Sequence, residues 1–427
     1  MAADGRLRPA RGRRSRGARG LRGRGARLAG EVPPGPRGGR PVGGARPDHR
    51  AGGIRVADRR QARRQRAVSL TWAQVRARRL ARSSLTQRAT DLLQVVHDVG
   101  GIHAQVQASA ELQLAARVDG ITRQDVRDAL WRDRTLVKAW TLRGTLHLHP
   151  ADEAALWLTA RRALSSKPTA LEAWPDPKGV VHAPVSADEL AEIRAAVWDA
   201  FDGRALLREE LATEVVRRVG KKHEGRLRSG FAFFTDQLVQ GPPQGSKITL
   251  ARPDQWVDGW QSVQEEAALR EVVRRYLWAY GPARPADFRT WFGDVSFDVV
   301  EVEEIYVEGR PAYVLAGDGE FPDAQQAVRL LPEYDVYIMG FREREHLVPA
   351  RVRAQVAAHG RGRYEGPAGV RFLLANGVTA GLWERKKLPK RIEITVAPVR
   401  RFRRTELERE VERYGAFLGL EPVLRVE

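Results

Sequence analysis

Apolar residues recur every three or four positions in WAQVRARRLARSS, beginning at Trp72, a spacing that predicts a helix burying Trp72, Val75 and Leu80. SLTQRATDLLQVVHDVG continues the pattern as a second helix stopped by Gly100, and ELQLAARV reads as a third. ITRQDVRDALWRDR is a fourth, capped by Thr122, turning Val126, Ala129 and Leu130 inward and its arginines to water. The period then falls to two in KAWTLRGTLHLHP, where Leu142, Leu146 and Leu148 stand among polar residues as in a strand or hairpin. Helices followed by a short two-stranded hairpin describe a winged helix.

The same logic returns twice. SADELAEIRAAVWDAF opens with Ser186 and has Glu189 three residues later, a capping box. LLREELATEVVRRVG, ended by Gly220, and RSGFAFFTDQLVQ supply further helices before KITLARPDQWV, a second wing. SVQEEAALREVVRRYLWAYG is a long helix stopped by Gly281, and ARPADFRTWFG a short one entered by proline. From about Val300 the chain turns to strands punctuated by Gly and Pro, closed by a last helix in TELEREVERYGAFLGL. The fold class is therefore α+β: tandem winged-helix domains followed by a C-terminal β-rich, barrel-like domain. The predicted boundaries are 67–184, 185–260, 261–325 and 326–427.

Charge changes the picture less than its size implies. The net charge is +20, but residues 1–66 hold twenty arginines, no lysine and four acids, a net of +16. Residues 67–427 carry only +4, so DNA affinity there has to come from local patches. The Arg/Gly-rich stretch 1–66 has too few large apolar residues to offset chain entropy and is predicted to be disordered. It is either a phosphate-holding arm, a solvated tail without a role, or an over-long reading frame whose true start lies near Val68. Cysteine is absent, which excludes disulfides, thiolate metal sites and a cysteine nucleophile. No apolar run reaches the roughly 20 residues of a membrane span. A cytoplasmic, nucleoid-associated protein is the expectation.

Candidate chemistry concentrates in GGIHAQVQASAELQLAARV, Gly100 to Val118. Alternation places His103, Gln105 and Gln107 on one face of an extended segment, with Ala104 and Val106 on the other. An imidazole and amides arranged so can converge on one water. A polar turn ahead of a helix is the plainer reading of the same residues.

Four blocks in order extend this motif: His103 to Gln105, KAWTLRGTLHLHPAD at Lys138 to Asp152, YGPARPADFRTWFG at Tyr280 to Gly293, and LLPEYDVYIMGFRERE at Leu330 to Glu345. With LANGVTAGLWERK at Leu374 to Lys386, the chain from about Val68 resembles the AlkZ-like and AlkX-like DNA glycosylases, which are tandem winged-helix proteins. The resemblance implies a monofunctional N-glycosyl hydrolase acting on bulky N7-alkylpurines and interstrand crosslinks in duplex DNA, as a monomer without cofactor or metal. It also implies a catalytic pair written Gln, a small apolar residue, Gln, which places His103 at the first position and Gln105 at the second. His103 departs from the commoner glutamine, and unlike glutamine it can accept a proton. A register shifted by two residues makes Gln105 and Gln107 the pair.

Lys138, Arg143 and Thr145 fall in the first wing, where cations and hydroxyls commonly contact phosphates; a solvated strand face is the alternative. His147 and His149 lack a third ligand nearby and read as a strand-face pair rather than a metal site. Glu333, Asp335 and His346 read as structural polar groups of the β domain. There is no Walker motif, no dinucleotide fingerprint and no HExxH. The rival function is a non-catalytic winged-helix regulator, which a palindromic footprint and a dimer would mark.

Overall fold

The computed structural model describes residues 69–164, 170–176, 178–229, 237–359 and 369–427, all within one compact unit that begins at Arg63. The expectations for residues 1–66, and most of the helix read from RSGFAFFTDQLVQ, lie outside the described residues.

Helix starts follow their caps. Trp72–Arg82 begins at Thr71, whose side chain accepts from the Gln74 amide, and Arg123–Trp131 begins at Thr122 in a capping box with Asp125. Ser186 and Glu189 form the box that starts Ala187–Asp199. The second helix is shorter than its periodic stretch. Asp91 accepts from the amides of Leu93 and Gln94, so the helix spans only Leu92–Asp98, and Ser84 to Thr90 is not helical.

Three modules of helices and a hairpin follow one another. Gln107–Ala115 and Arg123–Trp131 precede the hairpin Leu136–Trp140 with Leu146–Pro150. Ala187–Asp199, Arg208–Val219 and Glu224–Ser229 precede Val239–Gln244 with Lys247–Ala251. Glu265–Tyr280 and Pro285–Trp291 precede Val302–Val307 with Arg310–Leu315.

The first two hairpins are not separate wings. They join in one six-stranded sheet with spatial order Ile102–His103, Leu146–Pro150, Leu136–Trp140, Val239–Gln244, Lys247–Ala251 and Leu206–Leu207, where Ala139 meets Val239 at the seam. All five residues of Leu146–Pro150 are consequently buried, and the apolar-in, polar-out alternation expected of a wing does not hold there. The third hairpin gains a parallel strand from the start of the described chain, Ser69–Leu70 beside Tyr306–Val307.

The C-terminal sheet has five strands in the order Val328–Leu331, Phe372–Ala375, Val378–Lys387, Arg391–Pro398 and Glu421–Val426. Its first and last strands are not paired, so the barrel-like domain is an open half-barrel, closed on one face by the helix Arg404–Leu418. The largest core gathers around Glu265–Tyr280, with Trp157, Tyr276, Phe288 and Trp291 all at or below 3% exposure. It packs the third module against the helix Ala154–Ala163, whose Trp157 stacks on His149.

Two arginines depart from the sequence reading. Arg78 and Arg79 are 1% and 2% exposed on a helix whose apolar stripe is narrow. Arg78 pairs with Asp318, while Arg79 donates to the carbonyls of Tyr280 and Pro282 and lies 3.6 Å over the Phe341 ring. Their aliphatic stems cover apolar surface that the periodicity assigned to Trp72, which is half-buried and stacks on His346 at 3.9 Å.

Candidate active site

The motif begins on the edge of the six-stranded sheet. Ile102–His103 pairs antiparallel with the inner strand, Ile102 opposite Leu148 and His103 opposite His147. Residues directly opposite share a face, so one row runs His103, His147, Ala139 and the other Ile102, Leu148, Lys138. His103 and Lys138 therefore leave the sheet on opposite faces.

The extended segment then ends. Ala104 still donates its amide to the Leu146 carbonyl at 2.7 Å, but Val106 caps a helix that starts at Gln107. The expected alternation through Gln107 fails for this reason: Ala104 is buried and Val106 is 39% exposed, so neither stands on a common inner face. Gln105 is exposed, and its Oε1 accepts from the Leu146 amide at 3.4 Å. Gln107 Oε1 instead accepts from Lys138 Nζ at 3.0 Å, beside a cleft of about 710 Å³ walled by Arg127, Trp131, Gln240 and Ile248. The backbone groups His103 with Gln105 at the sheet edge and Gln107 with Lys138 beyond it.

His103 is 4% exposed and rests 5.3 Å from the Tyr334 ring, between centroids. Burial, with the cations of Arg143 and Lys138, pushes its imidazole down to about 4, so it is neutral at physiological pH. Tyr334 was not visible as a site residue in the sequence. It sits at φ +62 in the segment between Leu331 and Val336, which is locked to the motif helix by three side chains. Gln113 Nε2 donates to the His103 carbonyl at 3.0 Å while its Oε1 accepts from the Val336 amide at 3.2 Å. Arg117 forks onto both oxygens of Asp335, and Ser109 donates to the Glu333 carbonyl. The sequence reads ELQLAARV only as a helix; its polar members Gln113 and Arg117 are what orient the site.

The wing residues are more committed than a free phosphate-binding surface requires. Lys138 is 6% exposed and burial lowers its amine to about 8. Arg143 lies in the hairpin turn at φ +54 and donates to the Trp291 carbonyl at 2.8 Å, with burial lowering its guanidinium to about 10. Thr145 donates its hydroxyl to the Leu142 carbonyl at 3.1 Å. Glycine at 144, φ +68, is what lets this turn close.

Behind His103 stand His147 and His149, both fully buried. Their rings are 6.2 Å apart, and His149 stacks on Trp157 at 4.4 Å while sharing a 2.8 Å hydrogen bond with the Thr141 hydroxyl. Among the described residues no group of three or more His, Cys, Asp or Glu is placed to hold a metal.

Two expected outcomes follow from this packing. Gly101 adopts φ +103, and a Cβ there would come 2.4 Å from His149 Cε1. Gly101→Ala combines overpacking with backbone strain and should cost about 2–4 kcal/mol, read as a lower urea midpoint; an unchanged midpoint contradicts the close packing. The buried histidines also set an acid limit. His103 is lowered to about 4, His149 to about 3 and His147 well below its usual value, in each case chiefly by burial. Because the folded values lie below the unfolded value of about 6.5, the unfolded chain takes up protons first. Their contribution is complete above pH 6.5 and is lost as pH falls, down to about 4 for His103 and about 3 for His149, at about 1.4 kcal/mol per histidine per pH unit. Denaturant titrations at pH 7 and pH 5 measure this, and equal midpoints contradict it.

Residues 96–417 match the family described as DNA glycosylase AlkZ-like. The chain belongs to the AlkZ-like DNA glycosylase family. It is 33% identical over 347 residues to an interstrand DNA cross-link repair glycosylase of Streptomyces sahachiroi, covering 74% of this chain and 88% of that protein. The solved structure of the Streptomyces sahachiroi DNA glycosylase AlkZ superposes with a TM-score of 0.68 at 27% identity, over 84% of this chain and all of that one. AlkZ-like membership makes the protein a DNA-acting glycosylase with a mixed helix and sheet fold, and no helix among the described residues is long and apolar enough to cross a membrane.

Proposed function

We propose that this AlkZ-like protein hydrolyses the N-glycosidic bond of bulky N7-alkylpurines, including those that crosslink two strands, with His103 and Gln105 as its catalytic pair. The observation that carries the reading is that the acids of the motif helix and of the segment around Tyr334 are held by arginines. Glu111, 1% exposed, is held by Arg123 and Arg127; Asp335 is held by Arg117, and Glu333 by Arg371. A site with neutral imidazole and amide groups suits a base that is already cationic and departs without protonation. A relative named for interstrand cross-link repair points to the same substrate class.

The step balances without a cofactor. The bond from C1′ to the base nitrogen breaks and its electron pair neutralises the N7-alkylated base. The water oxygen bonds C1′ of the oxocarbenium-like sugar, and the proton shed by the resulting oxonium passes to His103 and on to solvent. A base with a pKa of about 4 suffices for so acidic a proton, and its main task is to hold the water in line. Gln105, exposed at the sheet edge, accepts from the water with Oε1 and donates with Nε2 to the sugar. The modules at 67–184, 185–260 and 261–325 form the DNA-facing body and 326–427 supplies Tyr334 and its support. Lys138, Arg143 and Thr145 act near the backbone of the bound duplex, and Gln107 replaces His103 as Gln105's partner only if the register is shifted.

A duplex carrying one N7-alkylguanine, treated with excess protein and then alkali, tests this. Strand breaks at the adduct support hydrolysis, and their loss in His103→Ala supports the register. Binding without abasic sites, with a symmetric footprint on one sequence, contradicts it and favours the non-catalytic regulator.

A further inference from the structure

This inference rests on the reading of His103 as a catalytic group, and it concerns the residue that makes it one. A neutral imidazole can orient the attacking water only if the nitrogen facing that water is bare, so something must fix which nitrogen carries the hydrogen.

The structure supplies a chain of acceptors. His147 Nδ1 lies 3.0 Å from the Thr145 carbonyl, and a carbonyl can only accept, so Nδ1 carries the hydrogen. With its ring held neutral by full burial and by the cation of Arg143, His147 therefore has a bare Nε2. That Nε2 is buried with no hydrogen-bond partner, and so is Nδ1 of His103. The two rings meet edge to face at 84° with centroids 5.2 Å apart, opposite one another across the strand pair. Two unpartnered buried nitrogens in neighbouring rings are costly if both present lone pairs, which couples the protonation of one ring to that of the other.

We propose that His147 is a positioning residue that fixes the tautomer of His103 by setting its own bare Nε2 in the ring beside Nδ1 of His103, leaving the Nε2 lone pair of His103 to orient the attacking water. The Thr145 carbonyl sets His147 with hydrogen on Nδ1. A buried lone pair on His147 Nε2 repels a second lone pair in the neighbouring ring and attracts an N–H, so hydrogen on His103 Nδ1 is favoured and His103 Nε2 is left as the acceptor. Arg143, and Lys138 from the opposite face of the sheet, put positive charge near this pair, while His149 and Tyr334 pack beside it. The first two oppose a second proton on either ring, so the chain stays in one tautomer across neutral pH. A glutamine at position 103 has no tautomer to set, so the role proposed for His147 applies to this chain's histidine.

Long-range proton–nitrogen NMR of the full chain labelled in histidine nitrogen reads this directly, with signals assigned by single His103→Gln and His147→Gln substitutions. The expected result in the parent is hydrogen on Nδ1 of both rings and a bare Nε2 on His103. His147→Leu should move His103 towards the Nε2–H form and lower kcat by about 10–100-fold, the scale for groups that orient a functional histidine, with unchanged DNA affinity. His147→Gln, which keeps an acceptor, should retain most of the activity. His103 bearing hydrogen on Nε2 in the parent overturns the proposal, as does a His103 tautomer indifferent to His147→Leu. Because the tautomer is read without substrate, loss of the glycosylase reading and loss of this one give different results.

Discussion

Gln105→Ala is expected to lower the single-turnover rate of base excision by at least about 100-fold while leaving DNA binding and unfolding midpoint unchanged. The magnitude is that of removing one positioned transition-state donor. The unchanged stability follows from where the side chain sits. Gln105 is exposed between the strand end and the helix start, and its side chain makes the long 3.4 Å contact from the Leu146 amide. Losing such a bond at the surface costs about 1 kcal/mol or less. A rate within threefold of the parent contradicts the role of Gln105. A matching loss in Gln107→Ala, with Gln105→Ala active, would place the site at the Lys138 cleft.

Asp335→Ala is expected to have the largest effect on stability, about 3–5 kcal/mol, the cost of leaving a buried charge unpaired. Arg117 is 0% exposed and Asp335 1% exposed, and the two are joined by bonds of 2.7 and 2.9 Å. Asp335 also accepts from the Tyr337 amide, so its loss uncaps the short helix Val336–Met339. The effect reaches the site because Gln113 on the helix Gln107–Ala115 and Arg117 just beyond its end tie it to the segment carrying Tyr334. Thermal or urea unfolding measures the cost, and Asp335→Asn, which keeps the shape and part of the hydrogen bonding, should lose less. Equal stability of Asp335→Ala and the parent contradicts a buried ion pair at this position.

Local signals were read correctly from the sequence where local chemistry decides. Thr122 as a cap, and Ser186 with Glu189 as a capping box, start helices because the Thr122 and Ser186 side chains satisfy amides three residues away. The hairpin from Leu136 to Pro150 is likewise a short-range pairing. Features fixed by distant partners were not legible. No pattern near Ala139 announces Val239 as its neighbour, and none in Ser69–Leu70 announces the parallel strand at Tyr306. The last strand, Glu421–Val426, is absent from the sequence reading because it completes a sheet whose other members lie far upstream.

The candidate site divides in the same way. The segment around His103 was legible through its resemblance to a family and its polar spacing. Its burial was not, since the row His103, His147 and Ala139 exists only once the two strands pair. Period two failed beyond Gln105 because the helix captured Gln107 as its first residue, overriding the extended pattern. Tyr334 was missed because its side chain is delivered by Gln113, Arg117 and Ser109, whose roles depend on a segment more than two hundred residues away.

The central claim is tested most directly with a duplex whose two strands are joined through N7-alkylguanines, incubated with the parent protein in excess and resolved on a denaturing gel. The account predicts that the strands separate and that alkali then cleaves the freed strand at the former crosslink, the mark of an abasic site left by hydrolysis. A crosslink that survives while the protein is demonstrably bound to the duplex, with no alkali-labile site, contradicts it.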